Sequence, residues 1–270
     1  MADQLREKAS RAGGPGELLR ASGLSKRFGG VQALLDVSFA VDHGQIVGLI
    51  GPNGSGKSTC VNLLSGNLPV SAGEVRLDGE LLTGKPIDAV VVKGLSRTFQ
   101  STQIFPEDTA LENVVLGCHA LFKQSPAKSV LRTASAKREN LELTAHAEHS
   151  LSLVGLAERC DQVASTLSAA EQRLLMIAVA LASKPKVILL DEPAAGMVAS
   201  ERRALANIIR AMPSHGISVL VIEHHMGLIM EVCDRIVVLN FGQKIAEGTP
   251  AEIRNNQAVI DAYLGHRDHA

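Results

Sequence analysis

The chain has 270 residues, 46% hydrophobic and 20% charged, enough for one large domain or two modest ones with a sizeable core. Its net charge of −1 excludes the global basic field that advertises nucleic acid. Four cysteines, Cys60, Cys118, Cys160 and Cys233, stand far apart with no C-x-x-C pair, which argues against a zinc site or a disulfide framework and suits a reducing compartment.

Residues 1–16 are polar, carry no apolar leader and end in Gly13-Gly-Pro-Gly16, so a loose tail is expected. No apolar run approaches the roughly 18 residues that span a bilayer, so any work at a membrane needs a partner that crosses it. Leu18 to Phe28 reads as a strand with a turn at Gly29-Gly30. Val37, Phe39 and Val41 alternate with Ser38 and Ala40 as a second strand. Gln45 to Ile50 is an apolar strand, and Thr59 to Leu64 is a helix closed near Gly66.

Between them lie Gly51, Pro52, Asn53, Gly54, Ser55, Gly56, Lys57 and Ser58. This is the full G-x-x-x-x-G-K-[ST] pattern in a strand–turn–helix context. Glycines let successive backbone N–H groups point inward, and the helix start adds partial positive charge, so the turn cradles phosphate. Lys57 is placed for the outer phosphates and the Ser58 hydroxyl for magnesium, with Thr59 beside it.

Glu74 to Leu77, Asp78-Gly79 and Glu80 to Leu82 read as a hairpin. From about Gln103 to Thr166 the character turns helical. Thr109 and Glu112 have capping-box spacing, Ser125-Pro126 opens another helix, and Ala136 to Val154 forms a longer one stopped at Gly155. Ser168 and Glu171 repeat the capping box before a helix that ends at Lys184-Pro185. Lys186 to Leu190 is a strand ending in Asp191-Glu192-Pro193. A helix over Glu201 to Met212, a strand over Ser218 to Ile222, a helix over Met226 to Cys233 and strands over Arg235–Leu239 and Lys244–Glu247 follow. Thr249 to Glu252 caps one final helix. Strands alternating with helices imply a mainly parallel α/β sheet flanked by helices.

In such a sheet ligands bind beyond the carboxyl ends of the strands. Asp191 is therefore placed for magnesium, and Glu192 for orienting or deprotonating a water. His224 follows another strand end and is a candidate γ-phosphate contact. Gln100 opens the helical block and is a candidate for magnesium or the attacking water. Phe28 is a candidate platform for adenine.

The loop, Gln100, Leu167-Ser-x-x-Glu171-Gln172, Asp191-Glu192 and His224 resemble, in order and spacing, the ATPase subunits of ABC transporters. Within that superfamily the chain is most similar to the ATPase subunits of branched-chain amino acid importers, through Arg97-Thr-Phe-Gln100, Glu171-Gln-Arg-Leu-Leu175, Asp191-Glu-Pro-Ala-Ala-Gly196, Cys233-Asp-Arg235, Ala246-Glu-Gly-Thr-Pro250 and Ala262-Tyr-Leu-Gly265.

The resemblance implies a P-loop NTPase fold with an N-terminal antiparallel β subdomain. It implies one domain over 17–270, with 17–100 and 185–270 as nucleotide-binding core and 101–184 as a mainly helical subdomain. It also implies a head-to-tail pair, identical or mixed, with ATP and Mg2+ between the subunits. Ser168, Ala170 and Glu171 would then serve the partner's site. Transmembrane permease subunits would be partners, an extracytoplasmic solute-binding protein an indirect one, and nucleic acid none. The chain would sit peripherally on the cytoplasmic side of the plasma membrane.

Two segments depart from the family pattern, and Met176 and Val179 also replace charged residues usual in the signature helix. Ala170 stands where the signature has glycine, and Met197-Val198-Ala199 stands where Leu, then Asn or Asp, then Pro is usual. A nucleotide-gated subunit with weak hydrolysis is therefore an alternative. A soluble ABC ATPase outside transport is a second alternative, disfavoured by the single cassette and the absence of sustained heptads.

Overall fold

The computed structural model describes residues 16–98, 104–118 and 134–264. Expectations for residues 1–15, for Gln100 and for Ser125-Pro126 lie outside these. Two sheets organise the rest. Strands β1 (Glu17–Phe28), β2 (Val31–Asp42), β4 (Ala72–Leu77) and β5 (Glu80–Leu81) form an antiparallel sheet in the order β2-β1-β4-β5. Strands β3 (Ile46–Ile50), β6 (Leu95–Arg97), β7 (Val187–Asp191), β8 (Ser218–Ile222), β9 (Arg235–Asn240) and β10 (Gln243–Gly248) form a second sheet, ordered β10-β9-β3-β8-β7-β6. All its pairings are parallel except β9 with β10.

The helices are α1 (Lys57–Leu64), α2 (Ile87–Val92), α3 (Ala110–Gly117), α4 (Ala134–Leu153), α5 (Ala169–Leu181), α6 (Ala199–Ala211), α7 (Met226–Val232), α8 (Pro250–Arg254) and α9 (Gln257–Leu264). None among the described residues is long and apolar enough to cross a membrane.

The central sheet is buried on both faces, which explains its unbroken apolar strands. Ile46 and Ile50, Ile188 and Leu190, Val219 and Val221, and Ile236 and Val238 face one core, with Leu175 and Ile177 of α5, Leu205 and Ile209 of α6, and Leu228 and Ile229 of α7. The alternate residues Val47 and Leu49, Val187 and Leu189, Leu220 and Ile222, and Val237 and Leu239 face a second core. There they meet Val61 and Leu64 of α1 and the inner face of the antiparallel sheet, including Leu19, Val37 and Phe39. A period of two thus splits each strand between two layers. Each Leu or Ile so buried contributes about 1.5–3 kcal/mol before entropy is counted.

Local chemistry sets the ends of the elements. The Asp78-Gly79 turn joins β4 to β5, both residues having positive φ. Gly155, at φ 77°, follows α4. Lys184, at φ 52°, turns the chain after α5, just before Pro185. Complete capping boxes open α3 (Thr109 and Glu112), α5 (Ser168 and Glu171) and α8 (Thr249 and Glu252).

Three features depart from the sequence expectations. β2 begins at Val31, earlier than its alternating stretch, because it pairs along the whole of β1. β6 and α2 were not expected; β6 is three residues long, too short to show a period. The single final helix is two helices, α8 and α9, because the chain breaks at Asn255-Asn256.

In the α3 capping box, Thr109 Oγ1 accepts from the Glu112 N–H at 3.2 Å, and Glu112 Oε2 accepts from the Thr109 N–H at 2.8 Å. The Thr109 N–H and the Thr109 hydroxyl, both donating to Glu112 Oε2, hold the Glu112 carboxyl below its usual range. Thr109→Ala will lower stability by about 1 kcal/mol, read by urea unfolding at neutral pH. A depressed carboxylate stabilises above its unfolded pKa and ceases to as pH falls through its folded one. The gap between variant and wild type will therefore narrow in acid.

Candidate functional site

The loop after β3 meets the end of β7 in one cleft of about 460 Å3, lined by Asn53 to Thr59, Glu192, Val31 to Ala33, Phe241 and Gly242. The loop depends on missing side chains. Gly51 has φ 151°, and a Cβ there would fall 2.1 Å from the Leu239 carbonyl oxygen. Gly56 has φ 101°, and a Cβ there would fall 2.7 Å from Leu34 and 2.8 Å from the Ala33 carbonyl oxygen. Gly54 has φ 77° with open space around it. Gly51 and Gly56 admit only glycine without rearrangement, whereas Gly54 has only a backbone conformation that side chains rarely adopt.

Lys57 Nζ donates to the carbonyl oxygens of Gly51 at 2.7 Å and Pro52 at 2.9 Å, so the ammonium lies folded over the loop. Burial lowers its pKa, and the Glu192 and Asp191 carboxylates push the other way. The hydrogen-bond partners of this partly desolvated cation are neutral carbonyl oxygens, and an anion would pair with it more strongly than they do.

Asp191 ends β7 and is 5% exposed. Its Oδ2 accepts from Arg97 Nη2 at 2.7 Å, and its backbone N–H donates to Thr98 Oγ1 at 3.2 Å. Arg97 also donates to Asn62 Oδ1 at 2.6 Å and Ser65 Oγ at 3.3 Å on and beside α1. One guanidinium therefore ties the edge strand β6 to the acid of β7 and to α1. Glu192 has φ 48°, a strained value for this residue type. Its N–H donates to the Ile222 carbonyl oxygen at 2.9 Å, and the Glu192 carbonyl oxygen accepts from Arg173 Nη1 of α5 at 3.5 Å.

His224 follows β8 with its side chain 62% exposed and Nδ1 3.9 Å from Glu192 Oε1. Beneath it Glu223 is 1% exposed. One Glu223 oxygen accepts from the Ala194 N–H at 2.7 Å, the other from the His224 and His225 N–H groups at 3.2 Å each. This buried carboxylate joins the loops after β7 and β8.

The structure thus brings Asn53 to Thr59 and Glu192 together, sets His224 beside Glu192, and places Asp191 just behind on Arg97. Gly51 and Pro52 underlie the loop as acceptors for Lys57. Phe28 is 47% exposed outside the cleft lining, with the Lys26 ammonium 5.2 Å from its ring centroid. Phe241, 75% exposed and at φ 45°, is the aromatic that lines the cleft. Ser168, Ala170 and Glu171 begin α5 away from the lining; Ala170 is half-buried against the larger core. Val198 is 59% exposed and caps α6 without a side-chain acceptor, although Glu201 reaches back to its N–H at 2.8 Å. Arg97, Glu223 and Phe241 were not read as site residues. For Glu223 a signal existed: an acid ending an apolar run, as Asp191 does.

The donor set suits magnesium triphosphate. A lysine and the start of α1 fit phosphate oxygens, while the Ser58 hydroxyl and Asp191 carboxylate are hard oxygen donors. Among the described residues no group of three His, Cys, Asp or Glu is placed to hold a metal alone.

Comparisons with known proteins agree. The family model described as ABC transporter matches residues 34–195. The chain belongs to the ABC transporter family. A second model, branched-chain amino acid ATP-binding cassette transporter, matches residues 243–269. The chain is 41% identical over 249 residues to the high-affinity branched-chain amino acid transport ATP-binding protein BraF of Pseudomonas aeruginosa, covering 92% of this chain and 98% of that one. It is 39% identical to LivG of Escherichia coli, a protein of the same description, at the same coverage. Among solved structures, an ATP-binding cassette of an ABC transporter in its ADP conformation superposes with a TM-score of 0.81 at 33% identity, covering 93% of this chain and all of that one. A nucleotide-free cassette superposes at 0.80 and 33%, covering 92% and 98%. The cassette fold expected from the sequence is therefore the fold observed.

Breaking the Arg97–Asp191 pair leaves a buried carboxylate short of its partner. Arg97→Ala will destabilise the cassette by about 3 kcal/mol or more, a fall of at least several degrees in Tm by calorimetry.

Proposed function

We propose that this chain binds and hydrolyses MgATP in the cleft between Gly51–Thr59 and Glu192, and so powers a membrane importer of branched-chain or related amino acids. One observation carries the reading: the glycine loop with Lys57 and Ser58 meets Glu192 in a single cleft.

The loop amides and Lys57 hold the phosphates, with Ser58, Asp191 and Gln100 as magnesium ligands. Magnesium, when bound, neutralises charge on the phosphate oxygens. Arg97 fixes the direction of the Asp191 carboxylate. Glu192 orients the attacking water and accepts its proton, and His224, beside it, steadies the terminal phosphate. Phe28 and Phe241 are the aromatic surfaces available to the base.

A second ATPase subunit closes over the cleft and supplies the start of its own signature helix. ATP favours the closed pair and its loss favours the open one, which is how binding energy becomes motion. The helices Ala110–Gly117, Ala134–Leu153 and Ala169–Leu181 belong to the part that passes this motion to a transmembrane permease, so the chain works peripherally on the cytoplasmic face. The descriptions of BraF and LivG supply the class of cargo, delivered from outside by a solute-binding protein.

In the assembled transporter, Lys57→Ala will reduce ATPase rate and uptake at least about 100-fold, and Glu192→Gln will bind ATP while losing about 100-fold or more of turnover. Uptake unaffected by Lys57→Ala refutes the proposal.

A second reading, weak hydrolysis, is supported by Ala170 and Val198. Both lie in the parts that a subunit presents to its partner, whereas the loop, Asp191, Glu192 and His224 are intact. We infer an asymmetric pair in which this chain completes its own site with a partner's signature but offers a weakened one in return. The double variant Ala170→Gly with Val198→Asp will raise the turnover of purified homodimers several-fold. Val198→Asp also supplies the missing cap of α6, adding about 1 kcal/mol to stability. Homodimers that already match an unaltered relative in rate exclude the asymmetric pair.

A further inference from the structure

No step above uses Glu223. It follows the apolar strand β8 and is 1% exposed. A carboxylate at that depth is costly unless its oxygens find donors. Both find them, and all three donors are main-chain groups. Oε1 accepts from the Ala194 N–H at 2.7 Å, and Oε2 accepts from the His224 and His225 N–H groups at 3.2 Å each. The first donor belongs to the loop after β7, the other two to the loop after β8.

The candidate chemistry lies on these same two loops. The Glu192 N–H donates to the Ile222 carbonyl oxygen at 2.9 Å. A main-chain bond at Glu192 and a side-chain bond at Ala194 therefore clasp one loop to the other twice within three residues. Glu192, at φ 48°, holds a conformation that a non-glycine residue keeps only where its surroundings enforce it. Across from it, His224 Nδ1 lies 3.9 Å from Glu192 Oε1 and 4.0 Å from Glu223 Oε2. Buried charged groups are often no more stabilising than apolar ones of similar volume, so stability alone does not account for a carboxylate here.

We propose that Glu223 is a positioning residue for hydrolysis: by holding both loops, its carboxylate sets the distance between Glu192 and His224. The inference rests on the proposed ATP hydrolysis and deepens it. Glu223 meets neither water nor phosphate and acts through the two residues that do. A carboxylate can serve both loops because each oxygen accepts. Glutamine has nearly the same shape but accepts on one oxygen alone, and turns an amide NH2 toward the other loop's N–H.

Steady-state ATPase rates of the assembled transporter, with MgADP titrated by calorimetry, test this. In Glu223→Gln, kcat will fall about tenfold or more, while KM and the MgADP Kd stay within about twofold of wild type. In a Glu192→Gln background the same substitution will change the residual rate less than about twofold, because the distance it sets no longer matters. A kcat within about threefold of wild type overturns the proposal, and with a lowered thermal midpoint it marks a packing role only. An equal loss in both backgrounds overturns it as well, as does a loss confined to KM. If Glu223→Gln does not fold, hydrogen exchange in the wild-type chain decides. The Ala194, His224 and His225 amides will then show one common opening, and protection differing more than about tenfold among them overturns the proposal. Absence of hydrolysis by the wild-type transporter defeats the ATPase reading itself, separately from the role of Glu223.

Discussion

The structure depends on a backbone turn that no side chain can enter. At Gly51 a single added carbon would fall 2.1 Å from the Leu239 carbonyl oxygen, inside any tolerable contact. The turn after β3 is thus pressed against the end of β9, its neighbour in the sheet. Just beyond it Gly56, in a left-handed conformation, caps α1, which starts at Lys57. Phosphate binding of this kind uses main-chain groups and a helix end, so it must be built by the fold rather than attached to it.

The two-sided core supplies the rigidity that such a turn needs. Strands β3, β7, β8 and β9 each send alternate residues to opposite layers. Sliding any of them by one residue would exchange both layers at once. Their carboxyl ends are therefore held in register, and the groups emerging there keep fixed relations. Lys57, Asp191, Glu192 and His224 come from three such ends. Glu223 and Arg97 then brace the loops between them through buried charge-assisted hydrogen bonds, which are stronger than neutral ones.

Legibility in the sequence followed locality. The phosphate loop, the Asp78-Gly79 hairpin, the capping boxes and the Gly155 stop are each written within a few residues, and each was read correctly. The two-layer sheet was legible as apolar runs, although their division between two cores was not. What escaped depends on distant pairing. β6 exists because it lies beside β7, and nothing in Leu95-Ser96-Arg97 has a period to detect. Arg97 meets Asp191 across 94 positions of chain. The break between α8 and α9 rests on Asn255-Asn256, a weaker stop than glycine or proline. Phe241 reached the cleft through the β9–β10 turn, where Gly242 bonds to Ser55 and Leu35.

The same geometry explains how a change in the cleft can be felt elsewhere. Arg97 ends β6, just before the segment that leads to the helices of 104–181, and it holds both Asp191 and α1. Arg173, on α5, reaches the carbonyl of the strained Glu192. Any movement of Asp191 or Glu192 toward a ligand must pull on β6 or on α5, because those bonds share the same few atoms. Coupling by this route requires no long wire. It requires only that the groups touching the phosphates are also those that fasten the neighbouring helices, and in this fold Arg97 and Arg173 meet that condition.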